Sequence, residues 1–141
     1  MTRRAFTLIE LLLSIGIIAI LATIIIVAIN PNKQIRDARN AQRRSDVNTI
    51  LNAVYQYMLD NEGDPPATLS KTPQEICQTD AVSCNGGADL RALSGTYIVR
   101  IPIDPTADPS GTGTDFFIAR DDFGRVTVTA PNAELGISIS R

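Results

Sequence analysis

The chain opens with its strongest pattern. From Leu11 to Ile29 no residue is charged and nearly all are apolar, with one acid, Glu10, at the entrance to the run. About nineteen residues at 1.5 Å each make roughly 28 Å of helix, close to the thickness of a bilayer's hydrocarbon core. The many isoleucines lower intrinsic helix propensity. In lipid, however, an open strand leaves backbone groups without partners, so the pattern predicts a transmembrane helix, with Gly16 as a point of close helix packing.

After Asn30-Pro31 the period changes. Ile35, Ala38, Val47, Ile50, Leu51, Val54 and Met58 recur at helical spacing among polar residues, which predicts an amphipathic helix. Pro31 lacks an N–H and disfavours helix at the residue before it, so a kink is expected near Pro31. Asn61 to Gly63, followed by Pro65 and Pro66, should end the helix.

The next segment, to about residue 95, is rich in turn formers. Within it Thr72-Pro73-Gln74-Glu75 has the form of a capping box with proline at the first helical position, predicting a short helix over Pro73–Gln78 that carries Cys77. Alternating patterns then predict strands at Thr96–Ile103, Thr114–Arg120 and Arg125–Ala130, with Asp121-Asp122-Phe123-Gly124 as the turn between the last two. Leu135, Ile137 and Ile139 suggest a fourth. One face of such a sheet can cover the amphipathic helix.

Composition narrows the function classes. The chain has 141 residues, room for one small domain beside the apolar segment. It contains no histidine and two cysteines, which removes Ser-His-Asp and Cys-His catalysis and any tetrahedral zinc site built from these residue types. Acids are scattered in loops and no nucleophile stands beside a recognisable base, so an enzyme is not expected and no catalytic residue or cofactor is assigned. The net charge of -2 calls for no nucleic-acid partner.

Glu10 needs a separate account. A cleavable secretory signal would use Arg3 and Arg4 as its basic region, but the apolar run is long for one and ends in no clear A-x-A site. A generic anchor leaves the acid unexplained, since a carboxylate at membrane depth costs about 2.5–3.5 kcal/mol without a partner.

Ala5-Phe6-Thr7-Leu8-Ile9-Glu10, followed by the apolar run, resembles the N-terminal signal of type IV prepilins and type II secretion pseudopilins. The resemblance implies a leader, Met1 to Ala5, removed by prepilin peptidase between Ala5 and Phe6, and methylation of the new amine on Phe6. The residue before the cut is usually glycine in that family; here it is Ala5. It further implies assembly through Phe6 and Glu10, with the carboxylate meeting the Phe6 amine of a neighbouring subunit. Removing one partner of a buried pair is costly, so this pair acts as a register device.

The implied fold is α+β: a lollipop in which a long N-terminal helix packs on a small antiparallel sheet. The layout would be a leader at 1–5, a transmembrane or filament-core helix at 6–30, an amphipathic helix at 31–62, a loop-rich region with the cysteine pair at 63–95 and a sheet at 96–141. A helix continuous from Phe6 to Leu59 would be roughly 80 Å long.

In an exported head, Cys77 and Cys84, seven positions apart, read as a disulfide that contributes roughly 2–3 kcal/mol, the alternative being two buried thiols. Lys33, Arg36, Arg39, Arg43 and Arg44 lie just past the apolar run, which by the positive-inside rule argues against export of the chain beyond it. The prepilin signal and Arg3-Arg4 argue for a cytoplasmic N-terminus and outweigh that count. The five cations read first as a solvated face, then as partners for acids of adjacent subunits, and last as phosphate contacts to DNA.

Asp104, Asp108 and Asp115 read as a solvated acidic loop. The resemblance adds calcium, because major pseudopilins carry a calcium-stabilised loop, but the spacing here matches no ligand pattern, so no metal ligand is assigned.

The expected function is a structural pilus subunit, with a secretion pseudopilin as the alternative and a membrane-tethered binding module that does not polymerise as the rival. The expected partners are the peptidase, the assembly platform of the pilus or of type II secretion, other pilin subunits and the membrane.

Overall fold

The structure, a computed structural model, describes residues 6–67, 69–134 and 136–140. Its contacts divide the chain into two units, Met1–Asp37 and Ala38–Arg141.

In the first unit, helix α1 spans Leu8–Ile29. Thr7 caps it, its hydroxyl oxygen accepting from the Glu10 N–H at 3.3 Å, which satisfies one of the N–H groups a helix start leaves open. The helix stops at Asn30, which turns left-handed (φ 47°), a conformation asparagine tolerates better than most residues. Helix α2, Pro31–Asp60, starts on the proline. A single helix from Phe6 to Leu59 is therefore not what forms. Pro31 cannot donate to α1, and it is well suited to the first position of a new helix.

In the second unit, α2 lies over a four-stranded antiparallel sheet in the order β1-β2-β3-β4: Gln74–Cys77, Gly113–Arg120, Val126–Ala130 and Ile137–Ser140. Val47, Ile50, Leu51 and Val54 of α2 share one core with Phe116 and Ile118 of β2, Val126 and Val128 of β3, and Ile137 of β4. Burial alternates along β2 and β3, as expected for a sheet with one covered face. Ile35 and Ala38, assigned by spacing to the same stripe, are exposed: the buried face of α2 begins at Arg43.

The β2–β3 turn forms at the expected place. Asp121 Oδ1 accepts from the N–H groups of Phe123 and Arg125 (2.9 and 2.8 Å), and Gly124 supplies a positive φ of 82°. The fourth strand forms over Ile137–Ser140; Leu135 lies outside the described residues.

Two expected elements do not form as predicted. Pro73–Gln78 is not a helix. Gln74 and Glu75 pair with Ile118 and Phe117, and Ile76 and Cys77 are buried, so ladder bonds and burial outweigh a cap signal that could stabilise only about one turn.

Thr96–Ile103 is not a strand either. The N–H groups of Tyr97 and Ile98 bond back to Leu93 O, and that of Ile101 bonds to Thr79 Oγ1 at 3.0 Å. Ile98 and Ile101, three positions apart, enter the core, and a strand would have sent them to opposite faces.

Candidate functional site: the N-terminal signal and the locked head

Phe6, Thr7 and Glu10 stand at the start of α1, and Ala5 lies with residues 1–4 outside the described residues. Phe6 is 75% exposed, and no residue of α1 is buried. The helix satisfies its own polar groups. Ser14 donates to Glu10 O at 2.7 Å and Thr23 to Ala19 O at 2.9 Å, so the two hydroxyls of the apolar run need no outside partner. By length and composition α1 can cross a membrane. Among the described residues none covers its apolar side chains, a surface of the kind lipid or other apolar helices cover.

Cys77 and Cys84 form a disulfide with Cα atoms 5.8 Å apart. It closes a loop onto the end of β1. Gly87 passes so close that a Cβ there would stand 2.7 Å from Glu75 O and 2.8 Å from Cys77 Sγ. Beside the bridge is a cleft of about 220 Å³ whose one acid, Glu75, already accepts from the Asp115 N–H at 3.1 Å.

The feature the sequence did not disclose is a buried ion pair. Arg43, assigned to a solvated basic face, is 4% exposed, and Asp104 is 2% exposed. Arg43 Nε and Nη2 donate to the two Asp104 oxygens at 2.6 and 3.0 Å, Nη2 also to Thr106 Oγ1 at 3.0 Å, and Nη1 to Asn40 Oδ1 at 3.0 Å. The two-pronged geometry suits a guanidinium and locks α2 to the 102–112 segment.

The pair shifts both groups. Its hydrogen bond to Asp104 holds the Arg43 pKa above the usual value. Burial pushes against ionising Asp104, but the bonds from Arg43 and Thr106 together outweigh it and hold the carboxyl below the usual range. Asp46, one turn along, shows the reverse: burial raises its pKa despite the 2.9 Å bond from Gln42 Nε2.

One sequence signal pointed to Arg43. It falls at 43, 47, 50 and 54, the spacing of the core stripe.

The three acids named for calcium are engaged elsewhere. Asp104 holds Arg43, Asp108 Oδ1 accepts from the Ser110 N–H and hydroxyl at 2.9 and 2.7 Å, and Asp115 accepts from Asn132 at 2.9 Å. Among the described residues no three acids or thiols gather as a metal-holding group.

Residues 1–26 match the family described as the prokaryotic N-terminal methylation motif. No curated protein and no solved structure matches the chain. The motif ends inside α1 and leaves the locked head unassigned. The chain thus carries a prepilin-type signal, the N-terminal methylation motif of type IV pilin and pseudopilin precursors, at the head of an apolar helix able to span a membrane.

Proposed function

We propose that this protein is the structural subunit of a type IV pilus. It inserts as a single-pass protein with its N-terminus in the cytoplasm, and prepilin peptidase cuts it between Ala5 and Phe6. The new Phe6 amine is methylated, and the assembly platform draws α1 out of the membrane into a filament of like subunits. The observation that carries this reading is the coincidence of the methylation motif with a helix that has no buried residue and so needs covering by lipid in one state and by other α1 helices in the next. Glu10 gains a partner in the second state, the Phe6 amine of a neighbour. The head, exported and closed by its disulfide, then lines the filament surface.

Intact-mass and N-terminal peptide analysis of protein from native membranes and from sheared surface filaments tests the proposal. A chain that begins at N-methylated Phe6 and appears in the sheared fraction is the expected result. The processed chain confined to the membrane fraction assigns it to a short secretion pseudopilus instead. A chain that keeps Met1 to Ala5 is a tethered module, and the filament reading fails.

A further inference from the structure

Most cations of the head already hold an acid within the chain. Arg43 meets Asp104, Lys71 meets Asp122 at 2.7 Å, Arg91 meets Asp89 at 2.6 Å, Arg125 meets Asp121 at 3.8 Å, and Arg100 meets Asp80. The N-terminal half of α2 differs. Lys33, Arg39 and Arg44 are exposed, and among the described residues their side chains form no ion pair.

The far end of α2 is the mirror of this. Asp60, Glu62 and Asp64 are exposed, and neither Glu62 nor Asp64 has a side-chain partner among the described residues. With Tyr57 and Asn61 they rim an open recess of about 400 Å³. Asp60 accepts from the Tyr97 hydroxyl at 2.8 Å, which orients the acidic rim.

This charge order runs against the helix. A helix favours acids at its N-terminus and bases at its C-terminus, yet α2 has no acid in its first turn and no base in its last. The charges are therefore not placed for the helix's own benefit, and the two patches complement one another in sign and match in exposure.

We propose that the exposed arginines Arg39 and Arg44, in the N-terminal half of α2, dock into the acidic recess at the C-terminal end of α2 in a second copy of this chain. The inference rests on the filament-subunit reading and specifies how successive heads engage. From Arg39 to Asp60 is about 32 Å of helix, so the two patches are far apart on one molecule and can meet only between molecules. Such a head-to-tail contact uses two different surfaces, so repetition gives a ring where the rotation closes and a helical filament where it does not, and the filament reading requires the second. An arginine suits the recess. Its planar cation can bond carboxylates from Glu62 and Asp64 while its face lies on the Tyr57 ring.

The test uses the full-length protein in its native cells, with sheared filaments quantified by immunoblot beside total membrane level and N-terminal cleavage. Three variants are compared: Arg39→Glu/Arg44→Glu, Glu62→Lys/Asp64→Lys, and all four together. Each double reversal sets like charges face to face at every step of the filament and should lower filament yield at least about tenfold with membrane level and cleavage unchanged. The fourfold variant should return to within about threefold of native, because the pairing is rebuilt with signs exchanged.

Normal assembly of either double variant, or no recovery in the fourfold variant, overturns the docking. A loss confined to the basic reversal, with the acidic reversal silent, also overturns it and assigns the cations to anionic lipid headgroups. Native protein that is cut yet yields no filaments sinks the filament reading itself, a result distinct from all of these.

Discussion

At the residue scale the head depends on an arginine and an aspartate sixty-one positions apart. Arg43→Ala leaves Asp104 buried, charged and facing only Thr106, and should cost about 3–5 kcal/mol of head stability. The double variant Arg43→Met/Asp104→Asn removes both charges, keeps an acceptor for the Thr106 N–H and should regain at least half of that loss. Urea unfolding followed by the near-UV signal of Tyr55, Tyr57 and Tyr97 measures both, and a double variant as weak as the single would refute the charge argument. Acid should act on two neighbouring carboxyls in opposite senses. Asp104 titrates below its unfolded value, so its contribution is present above about pH 3.9 and is lost as pH falls through the lower folded value. Asp46 titrates above its unfolded value, so its contribution is full below about pH 3.9 and is lost as pH rises through the higher folded value; at neutral pH its buried charge is a burden. Asp46→Asn should therefore be more stable than native protein at pH 7, with the gap closing below about pH 4. A gap that does not change with pH would mean that the charge is not its cause.

At the scale of elements, β1 depends on a covalent tie. It has four residues, pairs with β2 through a register shift between Glu75 and Cys77, and lies at the sheet edge. The disulfide anchors its end, and Cys77→Ser/Cys84→Ser should lower stability by about 2–3 kcal/mol, the amount chain-entropy reasoning assigns to so short a loop. Proteolysis between residues 78 and 88 should speed up in parallel, and an unchanged cleavage rate would show that the loop is held by other contacts. Gly87→Ala tests the same corner sterically. Its Cβ would meet the Glu75 carbonyl, part of the backbone and unable to rotate away, so a loss of about 1–3 kcal/mol is expected. Thermal unfolding of the variant against native protein measures it, and an equal midpoint would show that the strand end yields freely.

At the scale of the whole molecule, the proposed function asks one chain to satisfy two environments in turn. α1 presents apolar side chains on every side, as a helix in lipid does, and carries one acid, Glu10, that lipid does not favour. Glu10→Val should insert at least as well as native protein, while incorporation into filaments falls by about tenfold or more, because a variant subunit leaves a neighbour's Phe6 amine unpaired. Fractionation of membrane and sheared filament measures both, and normal filaments from the valine variant would show that the carboxylate is not a register device. The basic run after Pro31 also displays less charge than its composition implies. Arg43 is neutralised by Asp104 within the folded head, so the head shows fewer cations than a count along the sequence.

Features that depend on neighbours along the chain were legible before any folding. The apolar run from Leu11 to Ile29, the break at Asn30-Pro31, the β2–β3 turn around Gly124 and the methylation motif are local patterns, and each holds. Other features were settled only in three dimensions. Gln74 to Cys77 became a strand because β2 offered it ladder bonds, and Thr96 to Ile103 lost its strand because Ile98 and Ile101 both had to reach the core. Arg43 was indistinguishable by type from Arg39 and Arg44, and it became the lock of the head because the 102–112 segment lies across it. Burial and long-range pairing are properties of the folded neighbourhood, and a chain read in order does not contain that neighbourhood until it has closed on itself.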